Sequence, residues 1–192
     1  MYILAILKFA LVYTLLYRKS YMFSCFSRIL NLLALAASMF LLPAQAAEVM
    51  PSELSASQDK TPILTVHNQD ERRELSRADI ESLPLYAATL QHFEGPQGRF
   101  AGVWLKDLLS AQGVDEAATL RFIAHDDYTA FITPDDRQAR RYLLATRLDG
   151  EPLTLERLGP SLLIIPAEAE AVESGKASMM DWVWSIRNIH IQ

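Results

Sequence analysis

The chain has 192 residues and is 51% hydrophobic, enough for one domain with a sizeable core. Its formal charge is −5, and residues 1–46 hold Lys8, Arg18, Lys19 and Arg28 with no Asp or Glu, so taking away those four positive charges leaves −9. A domain that acidic repels phosphate backbones, which excludes nucleic acid as a partner, and the single cysteine, Cys25, excludes an internal disulfide.

From Met22 onward the chain reads as a secretory signal. Arg28 supplies the positive start, residues 29–42 the apolar stretch, and Pro43 breaks the helix before Ala44-Gln45-Ala46, an A-x-A cleavage site. The expectation is cleavage after Ala46 and a periplasmic mature protein without any thiol. Residues 1–21 are then a misassigned extension upstream of the true start at Met22, or a membrane segment. Residues 47–60 are polar, carry Pro51 and several Ser, and are expected to form a flexible lead-in to a domain spanning 61–192.

Ile63, Leu64 and Val66 suggest a first strand, Asn68-Gln69-Asp70 a turn, and residues 71–75 a return strand. Ser76 and Asp79 fit a capping box that opens a short helix, which Pro84 ends by disfavouring helical geometry at Leu83. A strand is expected over 85–93. Trp104, Leu105, Leu108 and Leu109 then recur on one helical stripe up to Gln112, with Gly113 suited to a left-handed cap and Val114 folding back on Leu109.

Two strands flank His125-Asp126-Asp127, residues whose short polar side chains suit a turn. Asp149-Gly150 between residues 143–148 and 151–153 is a hairpin signal, because a type I′ turn needs positive φ twice. Leu162 to Ile165 is an unbroken apolar run, as in a strand covered on both faces. Near the C-terminus, Trp182, Trp184 and Ile186 alternate in one phase, and Ile189 and Ile191 in the other. One extra residue or a break near Arg187-Asn188 would reconcile them. Many short strands with few short helices predict an α+β, mostly β, fold.

The ordered segments FAGVWLKDLLSAQGV, HDDYTAFITPDD, LLATRLDGEPL, GPSLLIIPAE and WVWSIRNIHI together resemble the oxidoreductase molybdopterin-binding domain, the fold of sulfite oxidase. The resemblance runs from about Ile63 to the end. It implies that fold, and it implies a cofactor pocket around Thr89, His92, Tyr128, Arg157 and Asp181. Active members hold molybdenum through a thiolate in a T-L-x-C strand end followed by Asn and Arg for the pterin phosphate. Here the matching stretch is Ala88-Thr89-Leu90-Gln91-His92, followed by Phe93-Glu94-Gly95. The family's His-Gly-x-P reads Arg157-Leu158-Gly159-Pro160, and its Lys before the Trp reads Asp181. Imidazole is a poorer donor than thiolate for this metal, and a carboxylate repels a phosphate. The resemblance therefore implies a scaffold that binds a small anionic ligand or a membrane or periplasmic protein partner, without catalysis. The alternative is a molybdopterin-dependent oxidoreductase component with altered metal coordination.

For single residues the ordinary reading is preferred. His92 is expected as a polar strand-end residue rather than a ligand or acid–base group. His125, Asp126 and Asp127 are taken as turn chemistry, Arg99, Arg140 and Arg141 as solvated, and Trp182 and Trp184 as core. Met179 and Met180 make a weak soft-metal motif, and Glu168, Glu170 and Glu173 a mobile acidic loop. No nucleophile elbow, P-loop, dinucleotide fingerprint or zinc-spaced pattern occurs.

Overall fold

A computed structural model describes residues 47–192; the signal, its cleavage point and the alternative start lie outside the described residues. Among the described residues, eleven strands form two sheets. The first sheet runs β1 (Val49–Pro51), β4 (Tyr86–Gln91), β5 (Gln97–Trp104), β8 (Leu143–Leu148), β10 (Leu162–Ile164), with β9 (Glu151–Pro152) also on β8. The second runs β3 (Glu71–Ser76), β2 (Pro62–Asn68), β11 (Ile186–Ile191), β6 (Leu120–Ala124), β7 (Thr129–Ile132). Four short α-helices, α1 (Arg77–Ile80), α2 (Leu105–Ala111), α3 (Pro134–Ala139) and α4 (Ala169–Glu173), and two 3₁₀ turns, Leu155–Arg157 and Pro166–Glu168, complete the described part. This is the α+β, mostly β architecture the sequence predicts. Among the described residues no helix is long and apolar enough to cross a membrane.

Local chemistry sets the boundaries. The Ser76 hydroxyl accepts from the Asp79 N–H at 3.1 Å, and the Asp79 carboxylate accepts from the Ser76 N–H at 2.8 Å. In α2 the stripe Leu105, Leu108 and Leu109 is buried. Gly113 takes a φ of 68°, and Val114 N–H donates to the Leu109 carbonyl at 2.9 Å. Asp149 and Gly150 have φ of 53° and 87°, as a type I′ hairpin requires. Gly102 sits at a register shift between β5 and β8, where a Cβ would fall on the backbone of Leu144 and Ala145. Side chains from both sheets, such as Phe100, Leu144 and Leu163 from one and Leu64, Phe122 and Ile189 from the other, share one hydrophobic core.

The phase change near the C-terminus is resolved in two ways. The β11–β6 register shifts between Ile186 and Asn188, leaving Arg187 as the extra residue. Just upstream, Ser185 adopts a φ of 52°, so Trp182 to Trp184 do not continue the strand, and only Val183 makes a bridge, to Leu163.

Two expectations need correction, and one helix lies where the sequence reading sets no element. The lead-in is an integral part of the fold. Its residues 49–51 form β1 against β4, Ser57 N–H donates to Glu81 at 2.7 Å, and Asp59 pairs with the buried Arg77 at 3.0 Å. Glu168 ends a 3₁₀ turn and Ala169–Glu173 is the helix α4, not a mobile acidic loop, because Ala169 and Val172 give it a buried face. The segment beginning at Thr133 turns into α3, opened by a second capping box between Thr133 and Asp136 with Pro134 in the first turn.

Candidate functional site

Between β4 and β5 the chain makes a turn that Gln91 holds shut. Its side-chain amide donates to the carbonyls of His92 and Gly95, each at 2.8 Å. Gly95 N–H donates to the His92 carbonyl at 3.1 Å, and His92 N–H to Pro96 at 3.3 Å. Alternation along β4 puts Ala88 and Leu90 on the core side, and His92 follows that phase. His92 is 0% exposed, a correction to its expected place as a polar strand-end residue.

Rings surround it. Phe93 stacks on the imidazole at 4.7 Å, Trp182 and Trp184 meet it edge-on at 5.5 and 6.0 Å, and Phe100 lies at 6.5 Å. Tyr128, from the turn between β6 and β7, stacks on Trp184 at 6.2 Å and is 40% exposed. The rings thus run from a sealed imidazole to the surface. The segment carrying both tryptophans is stitched in place by Leu163 N–H to Val183, Ser185 N–H to Leu158 and His125 N–H to Ser185, at 2.7 to 2.8 Å.

The protonation of His92 follows from its contacts. Glu94 N–H donates to Nδ1 at 3.2 Å, so Nδ1 is an acceptor and the proton of the neutral ring is on Nε2. Nε2 is buried among the rings with no hydrogen-bond partner. Burial disfavours the imidazolium and pushes the pKa down to about 4. A neutral imidazole whose inner nitrogen carries the proton is a donor at that nitrogen, not a metal ligand.

The other expected site residues divide. Tyr128 joins the His92 cluster through Trp184, and its hydroxyl donates to the Met180 carbonyl at 3.2 Å. Asp181 is tied to Arg140 at 2.5 Å; Arg140 also binds Asp136 at 2.6 Å and lies 4.0 Å from Glu168. Arg140 is therefore an ion-pair residue, not a solvated one, and the spot is richer in carboxylates than in cations. Thr89 is exposed on β4, paired with Arg99 of β5 and out of phase with His92. Arg157 is exposed in a 3₁₀ turn. Its neighbour Leu158, in a left-handed conformation, packs where a Cβ on Gly95 would be. Leu158 and Gly95, rather than Arg157, are the contacts that close this turn. No group of three or more His, Cys, Asp or Glu suited to a metal ion occurs among the described residues.

Sequence reasoning missed a buried charge. Glu81, with a fully buried side chain, accepts from Thr146 Oγ1 at 2.7 Å, Arg147 Nε at 2.9 Å and Ser57 N–H at 2.7 Å, and is also paired with Arg147 Nη2. Burial alone would raise its pKa; the bonds from Arg147, Thr146 and Ser57 outweigh burial and hold it below the usual carboxylate range. The pair locks β8 and the lead-in to the end of α1.

The sequence profile of the oxidoreductase molybdopterin binding domain matches residues 47–177. Among solved structures, the sulfane dehydrogenase SoxCD from Paracoccus pantotrophus is similar at a TM-score of 0.50 and 15% identity, over 79% of this chain and 49% of that chain. At that identity the likeness speaks to the fold alone, and this chain spans about half the length of that one. No curated protein matches.

Proposed function

Because this chain belongs to the oxidoreductase molybdopterin-binding domain family, we propose that it is an exported, non-catalytic member that keeps the fold as a binding module. The observation that carries this reading is the state of His92. The family resemblance sets a thiolate at this position, and here stands an imidazole sealed by four rings, with its inner nitrogen protonated. Residues 47–192 contain no cysteine at all. Asp181, where the resemblance sets a Lys for the cofactor phosphate, sits among Asp136 and Glu168 around one guanidinium, and that balance disfavours an added anion. The donor set does not fit a molybdenum cofactor in the family's pose.

What remains at the rim suits recognition. Tyr128 and Trp184 present stacked rings, and Met179 and Met180 are 54% and 68% exposed beside them. Flat rings and polarisable thioethers make adaptable contact area for a small ligand or a protein partner. The test is to purify the protein from its own cell envelope with cofactor synthesis intact, and to measure molybdenum, pterin and any released small molecule. The expected result is molybdenum far below one atom per chain. A co-purifying ligand or partner should be lost in Tyr128→Ala and Trp184→Ala. Stoichiometric molybdenum would overturn the reading, as would protein retained in the cytoplasm with residues 22–46 attached.

A further inference from the structure

A separate concavity of about 480 Å³ opens between α2 and α3, within the size range of small-molecule sites. Its wall includes Trp104 and Tyr142, and its rim Lys106, Arg137 and Arg141. None of these belongs to the His92 ring cluster.

Two features set this concavity apart. The first is a pair of stranded polar atoms. Trp104 and Tyr142 are only 7% and 3% exposed, and the indole Nε1 and the phenol oxygen both lack a hydrogen-bond partner. Burying such groups unpaired is unfavourable; both atoms are sealed as the cleft stands, so they become available to a ligand's acceptors only when the side chains covering them move aside. The phenol stays protonated, and so a donor, because burial and then Asp181 push its pKa up. The second feature is an uncommitted cation. Arg140 is occupied by Asp136 and Asp181, whereas Arg141 and Lys106 are exposed and form no ion pair among the described residues. The Arg141 guanidinium lies 3.9 Å from the centre of the Trp104 ring, where a flat ligand ring would stack. On an exposed, flexible stem it can swing off that face and keep a negative group within reach. Asp107 and Glu116 also line the concavity, and Asp181, Asp136 and Glu168 act on Tyr142, so an anion's charge is drawn to the Arg141 and Lys106 side and only the uncharged part of a ligand faces Tyr142.

We propose that this cleft binds a small planar anion, a flat ring carrying a carboxylate or phosphate. The ring displaces Arg141 from the face of Trp104. Its polar atoms accept from Trp104 Nε1–H and Tyr142 O–H, and its charge pairs with Arg141 and Lys106. The site stands independently of how His92 is read.

The test is a titration of the purified protein with indole-3-carboxylate and with phenyl phosphate. It is followed by the indole N–H resonances, with that of Trp104 assigned through Trp104→Phe. The Trp104 resonance should shift saturably with at least one probe, while those of Trp182 and Trp184 hold still. Neutral indole-3-carboxamide should bind at least about tenfold more weakly than the carboxylate, and Arg141→Ala should weaken binding of the anion by a similar factor. Arg141 is exposed, so its loss leaves the fold intact, and Arg141→Lys should recover only part of the affinity. No saturable shift with either probe up to about 10 mM overturns the proposal. So does equal binding of the carboxamide, or an Arg141→Ala protein that binds as well as the parent.

Discussion

Replacing His92 with Gln should strip a defined block of pH dependence from the stability of this domain. The ring is fully buried and its pKa is held down at about 4 by burial, against about 6.5 in an unfolded chain. On acidification the unfolded state takes up the proton first, so between those two values it binds more protons than the folded state. Stability therefore rises with pH across this window. The contribution is fully present above about pH 6.5, falls as the pH drops, and levels off near pH 4. A gap of about 2.5 pKa units is worth roughly 3 kcal/mol in total, of which about 2 kcal/mol is gone by pH 5. Urea unfolding of the parent and of His92→Gln at pH 7 and pH 5 measures this. The variant loses ring contacts and will be less stable at both values, but that offset cancels when each protein is compared with itself. His190, also lowered by burial first and then by His67, contributes to both proteins and cancels too. The parent should lose about 2 kcal/mol more than the variant on going from pH 7 to pH 5. Equal losses would refute the reasoning, as would an NMR titration placing His92 near 6.5.

Further outcomes follow from other parts of the structure. Glu81→Ala leaves Arg147 and Thr146 facing an empty, buried site and should cost about 3–5 kcal/mol, read as a drop in urea midpoint without a change in slope. Gly102→Ala drives a methyl group into the backbone of β8 and should cost about 3 kcal/mol or prevent folding. Gly113→Ala, with the same added methyl but nothing within 4 Å, should cost only about 1–2 kcal/mol for its left-handed backbone. Thr133→Ala removes the cap of α3 and should cost about 1 kcal/mol by thermal melting.

Features written within a few residues were legible in the sequence. The capping box at Ser76 and Asp79, the Asp149-Gly150 hairpin, the Gly113 cap and the extra residue at Arg187 depend on local backbone chemistry, and the structure shows each of them. The helix α3 carried the same kind of signal, Thr133 and Asp136 around Pro134, and was readable by the same rule. Burial of a polar side chain was not legible, because it is decided by partners far along the chain. His92 is enclosed by Trp182 and Trp184, some 90 residues later, and Glu81 by Arg147, 66 residues later. The strand at residues 49–51 was hidden for a related reason. Its side chains are largely exposed, so its place comes from backbone pairing with β4 rather than from an apolar pattern.

The order of strands in the second sheet bears on how that sheet is held together. β11, the last strand, lies between β2 and β6, running parallel to one and antiparallel to the other. Without β11 the second sheet would consist of two hairpins, β2–β3 and β6–β7, with no backbone hydrogen bonds between them. The sheet closes only when Ile186–Ile191 slots into the gap between β2 and β6. Deleting Ile186–Ile191 would leave two half-sheets side by side with the keystone missing.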